Sequence, residues 1–217
     1  MSGSSAANAA GVYGTEGTAA TTNIPGARHS AVSWIDSSGN LWLFGGSGPG
    51  LFGTGFNDLW EFNPTTKEWT WMSGSNTIGW PYSHPGVYGT LGTPAASNVP
   101  GARYGAVSWK DNSGKFWLFG GYTLGNGGPL NDLWEFNPTT KEWTWMSGSN
   151  NNTIGWLYPY SGDYGTLGVP AAGNVPGGRA NSVGWTDSSG NLWLFGGYGI
   201  DALGQAGDLN DLWRYQP

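Results

Sequence analysis

Apolar residues along this chain fall in short, strand-length blocks separated by turn-forming residues. Ala31-Val32-Ser33-Trp34-Ile35 is followed by Asp36-Ser37-Ser38-Gly39-Asn40 and then by Leu41-Trp42-Leu43-Phe44, which ends at Gly45-Gly46. The polar stretch reads as a hairpin turn, because Asp can bond its own backbone and Gly accepts a positive φ. The second block lacks clean alternation, which predicts burial on both faces. The connection 47–57 leads to Asp58-Leu59-Trp60-Glu61-Phe62, which alternates. After the turn Asn63-Pro64-Thr65-Thr66 comes Glu68-Trp69-Thr70-Trp71-Met72, also alternating. Four short strands are therefore predicted, with no helical periodicity among them.

The pattern then recurs. Trp42, Trp117 and Trp193 sit in near-identical LWLFGG, FWLFGG and LWLFGG runs, 75 and 76 residues apart. The second unit predicts strands over 106–110, 116–119, 132–136 and 142–146. The third predicts 182–186, 192–195 and 211–215 and then reaches Pro217, with no fourth strand. Arg28, Arg103 and Arg179 lie in IPGAR, VPGAR and VPGGR runs, and Asp58, Asp132 and Asp211 each precede Leu-Trp. A unit this long and regular predicts stacked supersecondary modules with a shared core. The chain reads as one 217-residue domain, with units at about 25–75, 100–150 and 176–217. Thirty-residue connectors join them. Their repeated aromatics, Trp80, Tyr82 and Tyr88, then Trp156, Tyr158 and Tyr160, predict that each folds back onto its own unit, since long structureless loops are unusual in compact domains.

Composition narrows the function. Glycine and proline make up about a quarter of the residues, but 15 Trp, 10 Tyr and 8 Phe supply the apolar surface that a disordered chain lacks. The net charge is -6 with no basic patch, which argues against a nucleic-acid partner. No apolar run approaches the length of a membrane-spanning helix. The first residues do not read as a signal peptide. The absence of cysteine excludes disulfides and thiolate chemistry and suits either the cytoplasm or bacterial export, so the expectation is a soluble protein of open localisation.

The ordered elements resemble the kelch repeat of β-propellers, in a bacterial form with long inter-blade loops. The matching residues are the Arg of PGAR, the glycine pairs Gly45-Gly46, Gly120-Gly121 and Gly196-Gly197, the third-strand Trp60 or Trp134, and the fourth-strand Trp69 or Trp143. The resemblance implies four-stranded antiparallel blades around an axis, first strand innermost, with the Arg supporting the glycine pair. It implies no activity. Kelch-type oxidases use copper with a tyrosine–cysteine cofactor, and a chain without cysteine cannot share it. Three blades are fewer than propellers usually have, and the exposed ends of such an arc predict completion to six blades by a second chain.

Within each unit the Arg and the Asp are the right types for a buried bidentate ion pair, which is the expected structural role of all three pairs. His29 and His84 have no metal-ligand spacing, and Asp36, Asp111 and Asp187 suit turns better than calcium. No nucleophile elbow or triad is present. No catalytic residue, metal or cofactor is nominated. Variation concentrates in the second-to-third-strand loops, 47–57, 122–131 and 198–210, where Phe52, Phe56, Tyr122 and Tyr198 are the candidate ligand-binding residues, for a sugar or an apolar peptide side chain. The expected function is a non-catalytic, self-assembling scaffold. A carbohydrate-binding propeller is the alternative, and a glycan-processing enzyme the less favoured one.

Overall fold

The computed structural model describes residues 3–49, 54–77, 84–124, 127–150 and 160–217. Phe52, Trp80, Tyr82, Trp156 and Tyr158 lie outside them. The fold is all-β, and among the described residues no helix is long and apolar enough to cross a membrane.

The first sheet contains β1 (Val32–Ile35), β2 (Leu41–Phe44), β5 (Leu59–Asn63) and β6 (Glu68–Ser73), antiparallel and in chain order, while β3 (Ser47–Gly48) and β4 (Thr54–Gly55) form a small hairpin in the intervening loop. The second sheet repeats the order with β7 (Val107–Lys110), β8 (Phe116–Phe119), β9 (Leu133–Asn137) and β10 (Glu142–Ser147). Matching registers show how closely the units copy each other: Trp34 faces Trp42 across the first hairpin and Trp109 faces Trp117 across the second.

The third sheet comprises β11 (Arg179–Ala180), β12 (Val183–Thr186), β13 (Leu192–Ile200) and β14 (Ala206–Tyr215). It departs from the expected pattern. The stretch 198–210, expected to be a loop, instead prolongs both strands, which meet at a turn over Asp201–Gln205. The Asp201 carboxylate accepts from the Leu203 and Gln205 amides. Asp36 accepts in the same way from the Ser38 and Asn40 amides, so one Asp-x-x-Gly-x turn serves both places.

The core lies between sheets. Val32, Trp34, Trp42, Phe44 and Leu59 on one face of the first sheet meet Phe116, Leu118, Trp134 and Phe136 of the second. Trp34 stacks on Phe116 with centroids 5.3 Å apart. The opposite face of the second sheet presents Val107, Trp109, Trp117, Phe119 and Leu133 to Leu192, Leu194, Trp213 and Tyr215 of the third. Polar bonds fix the stacking. The Trp34 indole donates to the Trp109 carbonyl at 2.9 Å, and Lys110 Nζ to the Ile35 carbonyl at 2.8 Å. The Gly46 amide donates to the Arg103 carbonyl and the Gly121 amide to the Arg179 carbonyl, while the Arg103 and Arg179 amides donate back to Phe56 and Leu130.

These bonds explain the glycine pairs. Gly120 has φ +64°, and a Cβ there would lie 2.5 Å from the Arg179 carbonyl oxygen. Gly120→Ala is therefore expected to destabilise the chain by about 2 kcal/mol or more, combining a left-handed backbone with a clash against main chain. Urea unfolding followed by tryptophan fluorescence measures the loss.

Candidate functional site

Each sheet holds one buried polar knot. In the second, Arg103 donates from Nη1 and Nη2 to the two carboxylate oxygens of Asp132 at 2.6 and 2.7 Å. Its remaining reach goes to carbonyls, Nε to Gly101 and Nη1 to Gly120, both at 2.9 Å. The carboxylate also accepts from the Tyr88 hydroxyl and the Trp134 indole, each at 2.7 Å. Four of the five guanidinium N–H groups and both carboxylate oxygens are thus engaged, which lowers the penalty of burying the charge. Asp58 accepts in the same way from Arg28, Tyr13 and Trp60, and Asp211 from Arg179, Tyr164 and Trp213.

The lead-in segments and the third strands position these groups. The PGAR run enters each sheet beside the glycine pair, so the Arg reaches the Asp that opens the third strand. The tyrosine arrives from the segment that precedes each unit and packs on the sheet that follows it, the N-terminal stretch for Tyr13 and the two connectors for Tyr88 and Tyr164. The Gly17 amide donates to the Trp71 carbonyl of β6 at 2.8 Å, and the Gly92 amide to the Trp145 carbonyl of β10 at 2.8 Å. Tyr88 was legible in sequence only as a packing aromatic, Tyr13 and Tyr164 were not singled out, and the bond of all three to the carboxylate was missed. The signal was their fixed place in GVYGT, GVYGT and GDYGT.

Burial, together with the adjacent Asp charge, pushes the Tyr13 and Tyr88 hydroxyls well above the ordinary tyrosine range, so they stay protonated and donate to the carboxylate. At Asp211 burial opposes the charge, but hydrogen bonds from Arg179, Tyr164 and Trp213 outweigh it and pull the carboxyl down to about 2. Its folded value lies below the ordinary 3.8, so the unfolded chain takes up protons first as the solution is acidified. The stabilisation is complete above about pH 4 and is lost as pH falls towards 2. Acid titration followed by near-UV circular dichroism should show stability falling in that window, and Asp211→Asn should flatten the slope there while lowering stability at neutral pH.

Asp36, Asp111 and Asp187 cap their turns, and each also accepts from the indole of Trp42, Trp117 or Trp193 on the following strand. Among the described residues no cluster of three or more His, Cys, Asp or Glu side chains could hold a metal.

The structure separates the candidate ligand-binding residues. Phe56 is 9% exposed, with the Arg28 guanidinium 4.2 Å over its ring, so it packs inside the first unit and offers no open ring face. Tyr122 is half-buried and its ring lies 5.7 Å from that of Tyr104. Tyr198 is half-exposed, and its backbone pairs with Ala180 and Asp208. Tyr104 was not singled out from sequence. It occupies the position after the Arg, where the other units have His29 and Ala180, and it bridges to Tyr122 as His29 does to Ser47. The units therefore differ at one cross-strand pair set on a nearly constant frame: His29 with Ser47, Tyr104 with Tyr122, and Ala180 with Tyr198.

No family model and no curated protein matches the chain. Among solved structures, that of YjhT is similar at a TM-score of 0.49 and 18% identity, over 87% of this chain. The chain spans 54% of that protein's length.

Proposed function

We propose that this chain is a non-catalytic arc of a kelch-type β-propeller whose end faces pair with those of a second copy, so that two chains form a six-bladed ring. One observation carries this reading. Val32, Trp34, Phe44 and Leu59 are at most 8% exposed beneath the second sheet, and Val107, Trp109, Phe119 and Leu133 at most 8% beneath the third. Their counterparts Val183, Trp185, Phe195 and Leu212 are 43–61% exposed where the third sheet has no described neighbour. The Trp185 ring lies parallel to Trp193, 6.3 Å away, whereas Trp34 reaches across to the next sheet.

The opposite end has the complementary surface. Phe116, Leu118 and Phe136, which receive the first sheet, are at most 1% exposed. Their counterparts on the first sheet are Leu41, at 40%, and the half-buried Leu43 and Phe62. A third-sheet face therefore fits a first-sheet face by the packing already used twice inside the chain. Such head-to-tail contacts close a ring when the rotation permits, and six blades is a usual propeller size. Exposed apolar faces on the order of several hundred Å² mark interaction surfaces.

Size exclusion with light scattering tests this: a dimer across dilution supports it, and a folded monomer at micromolar concentration overturns it. A second reading, a carbohydrate or peptide site on the variable loops, draws on the Tyr104–Tyr122 pair and on exposed Tyr198. A glycan and peptide screen against Tyr122→Ala and Tyr198→Ala variants tests it.

A further inference from the structure

Apart from Met1, sulfur enters this fold at a single position, used twice. The chain has three methionines and no cysteine, and Met72 and Met146 hold the same place in two copies of Glu-Trp-Thr-Trp-Met-Ser, on β6 and β10. Both are bulge residues. Trp71 faces Trp60 and Ser73 faces Leu59, so Met72 falls between partners on β5. Trp145 faces Trp134 and Ser147 faces Leu133, which leaves Met146 in the same gap against β9. A bulge sets two residues opposite one and re-aims a side chain.

Each bulge lies where two sheets meet. Met72 packs against the apolar cluster shared by the first and second sheets, and Met146 against the one shared by the second and third. Both residues are half-buried. Neither can swing aside freely, because polar bonds pin the chain just beyond it. The Trp71 indole donates across its bulge to the Ser73 carbonyl at 2.8 Å, and the Trp145 indole to the Ser147 carbonyl at 2.7 Å. Two residues further on, the Ser75 amide donates to Asn57 Oδ1 and the Ser149 amide to Asn131 Oδ1, both at 3.0 Å. A thioether suits such an irregular gap, being unbranched and adaptable. It is also an apolar side chain that a mild oxidant makes polar.

We propose that Met72 and Met146 are oxidation sites through which hydrogen peroxide loosens the stacking of neighbouring sheets, one site to each junction. The sulfur lone pair attacks a peroxide oxygen, a sulfur–oxygen bond forms and the oxygen–oxygen bond breaks. The departing hydroxide takes the proton of the oxygen now on sulfur and leaves as water. Sulfur gives up an electron pair and becomes the sulfoxide, and the peroxide is reduced. The sulfoxide is bulkier and polar, and the pinned main chain holds it at the junction, so the apolar contact with the next sheet gives way. Methionine sulfoxide reductases, one for each epimer, restore the thioether. Both junctions lie within one chain, so this response does not depend on the six-bladed ring.

The test treats the whole chain with hydrogen peroxide, follows sulfoxide by peptide mass and reads each junction by amide hydrogen exchange. The Gly46 and Gly105 amides, bonded to the Arg103 and Ser30 carbonyls, report the first junction. The Gly121 and Asn181 amides, bonded to the Arg179 and Gly105 carbonyls, report the second. Oxidation of both methionines is expected to speed exchange at all four by about tenfold or more. Met72→Leu and Met146→Leu nearly conserve volume and keep the fold. With Met146→Leu, peroxide should affect Gly46 and Gly105 alone, and with Met72→Leu only Gly121 and Asn181. The double variant should not respond, and sulfoxide reductases should restore slow exchange in the unsubstituted chain. Unchanged exchange with sulfoxide at both positions overturns the proposal. So does the absence of sulfoxide under conditions that fully oxidise free methionine, an undiminished response in the double variant, or an equal response of all four amides in either single variant.

Discussion

Arg103→Leu is expected to cost about 3–5 kcal/mol of folding stability, the usual penalty for stranding a buried charge. Such a loss is a large part of the total stability of an ordinary domain. The Arg103 and Asp132 side chains are 1% and 0% exposed, so water cannot replace the guanidinium. Tyr88 and Trp134 would still donate to the carboxylate, but two neutral donors do not balance its charge. The Arg103 side chain also ties Gly101 to Gly120, so the lead-in would lose its anchor on the glycine pair. Arg179→Leu should cost less, because Asp211 is already partly hydrated. Adding Asp132→Asn to Arg103→Leu should recover part of the loss, since the buried charge is then gone. Urea denaturation of the four chains measures the order. Equal losses for Arg103→Leu and Arg179→Leu would show that burial of the pair does not set its worth.

Val183→Glu combined with Leu212→Glu is expected to remove self-association while leaving each chain folded. The two side chains are 61% and 54% exposed, so the isolated arc has little packing to lose there. Their counterparts Val107 and Leu133 are buried, and a charge at such a contact is costly. The expected weakening is about 2 kcal/mol per position, roughly thirtyfold each in Kd. Leu41→Lys on the opposite end should act likewise. Mixing the glutamate chain with the lysine chain leaves one matched junction, so a heterodimer should form where neither chain associates alone. Sedimentation velocity separates the species. Undiminished dimers of the glutamate variant would place the contact elsewhere.

Spacing made the paired functions legible and left the three-dimensional contrasts hidden. Arg103 and Asp132 could be matched because both recur at the repeat interval, and two opposite charges in an aromatic-rich unit have few other ways to be buried. The hairpin over Asp201–Gln205 was overlooked because the third loop was read by its differences. Asp201 and Gly204 repeat the Asp-x-x-Gly spacing of Asp36 and Gly39, and that local chemistry outweighed the unlike neighbours. Phe56 read as a ring available for stacking because it sits in a variable loop. Its partner, the Arg28 guanidinium, is a neighbour only in space. That the arc would have exposed end faces was legible from the copy number, but which residues form them was not. Val107 and Val183 have the same surroundings in the chain, and only the stacking order makes one interior and the other exposed.

The polar knots close within single units, whereas the aromatic core closes only between them. Each Asp gathers its arginine, tyrosine and tryptophan from one repeat, with no help from the next. A repeat can therefore settle its internal geometry before it meets a neighbour, and stacking then joins pieces of nearly finished shape. Lengthening or shortening the array would change how much greasy surface is hidden but not the shape of any one piece.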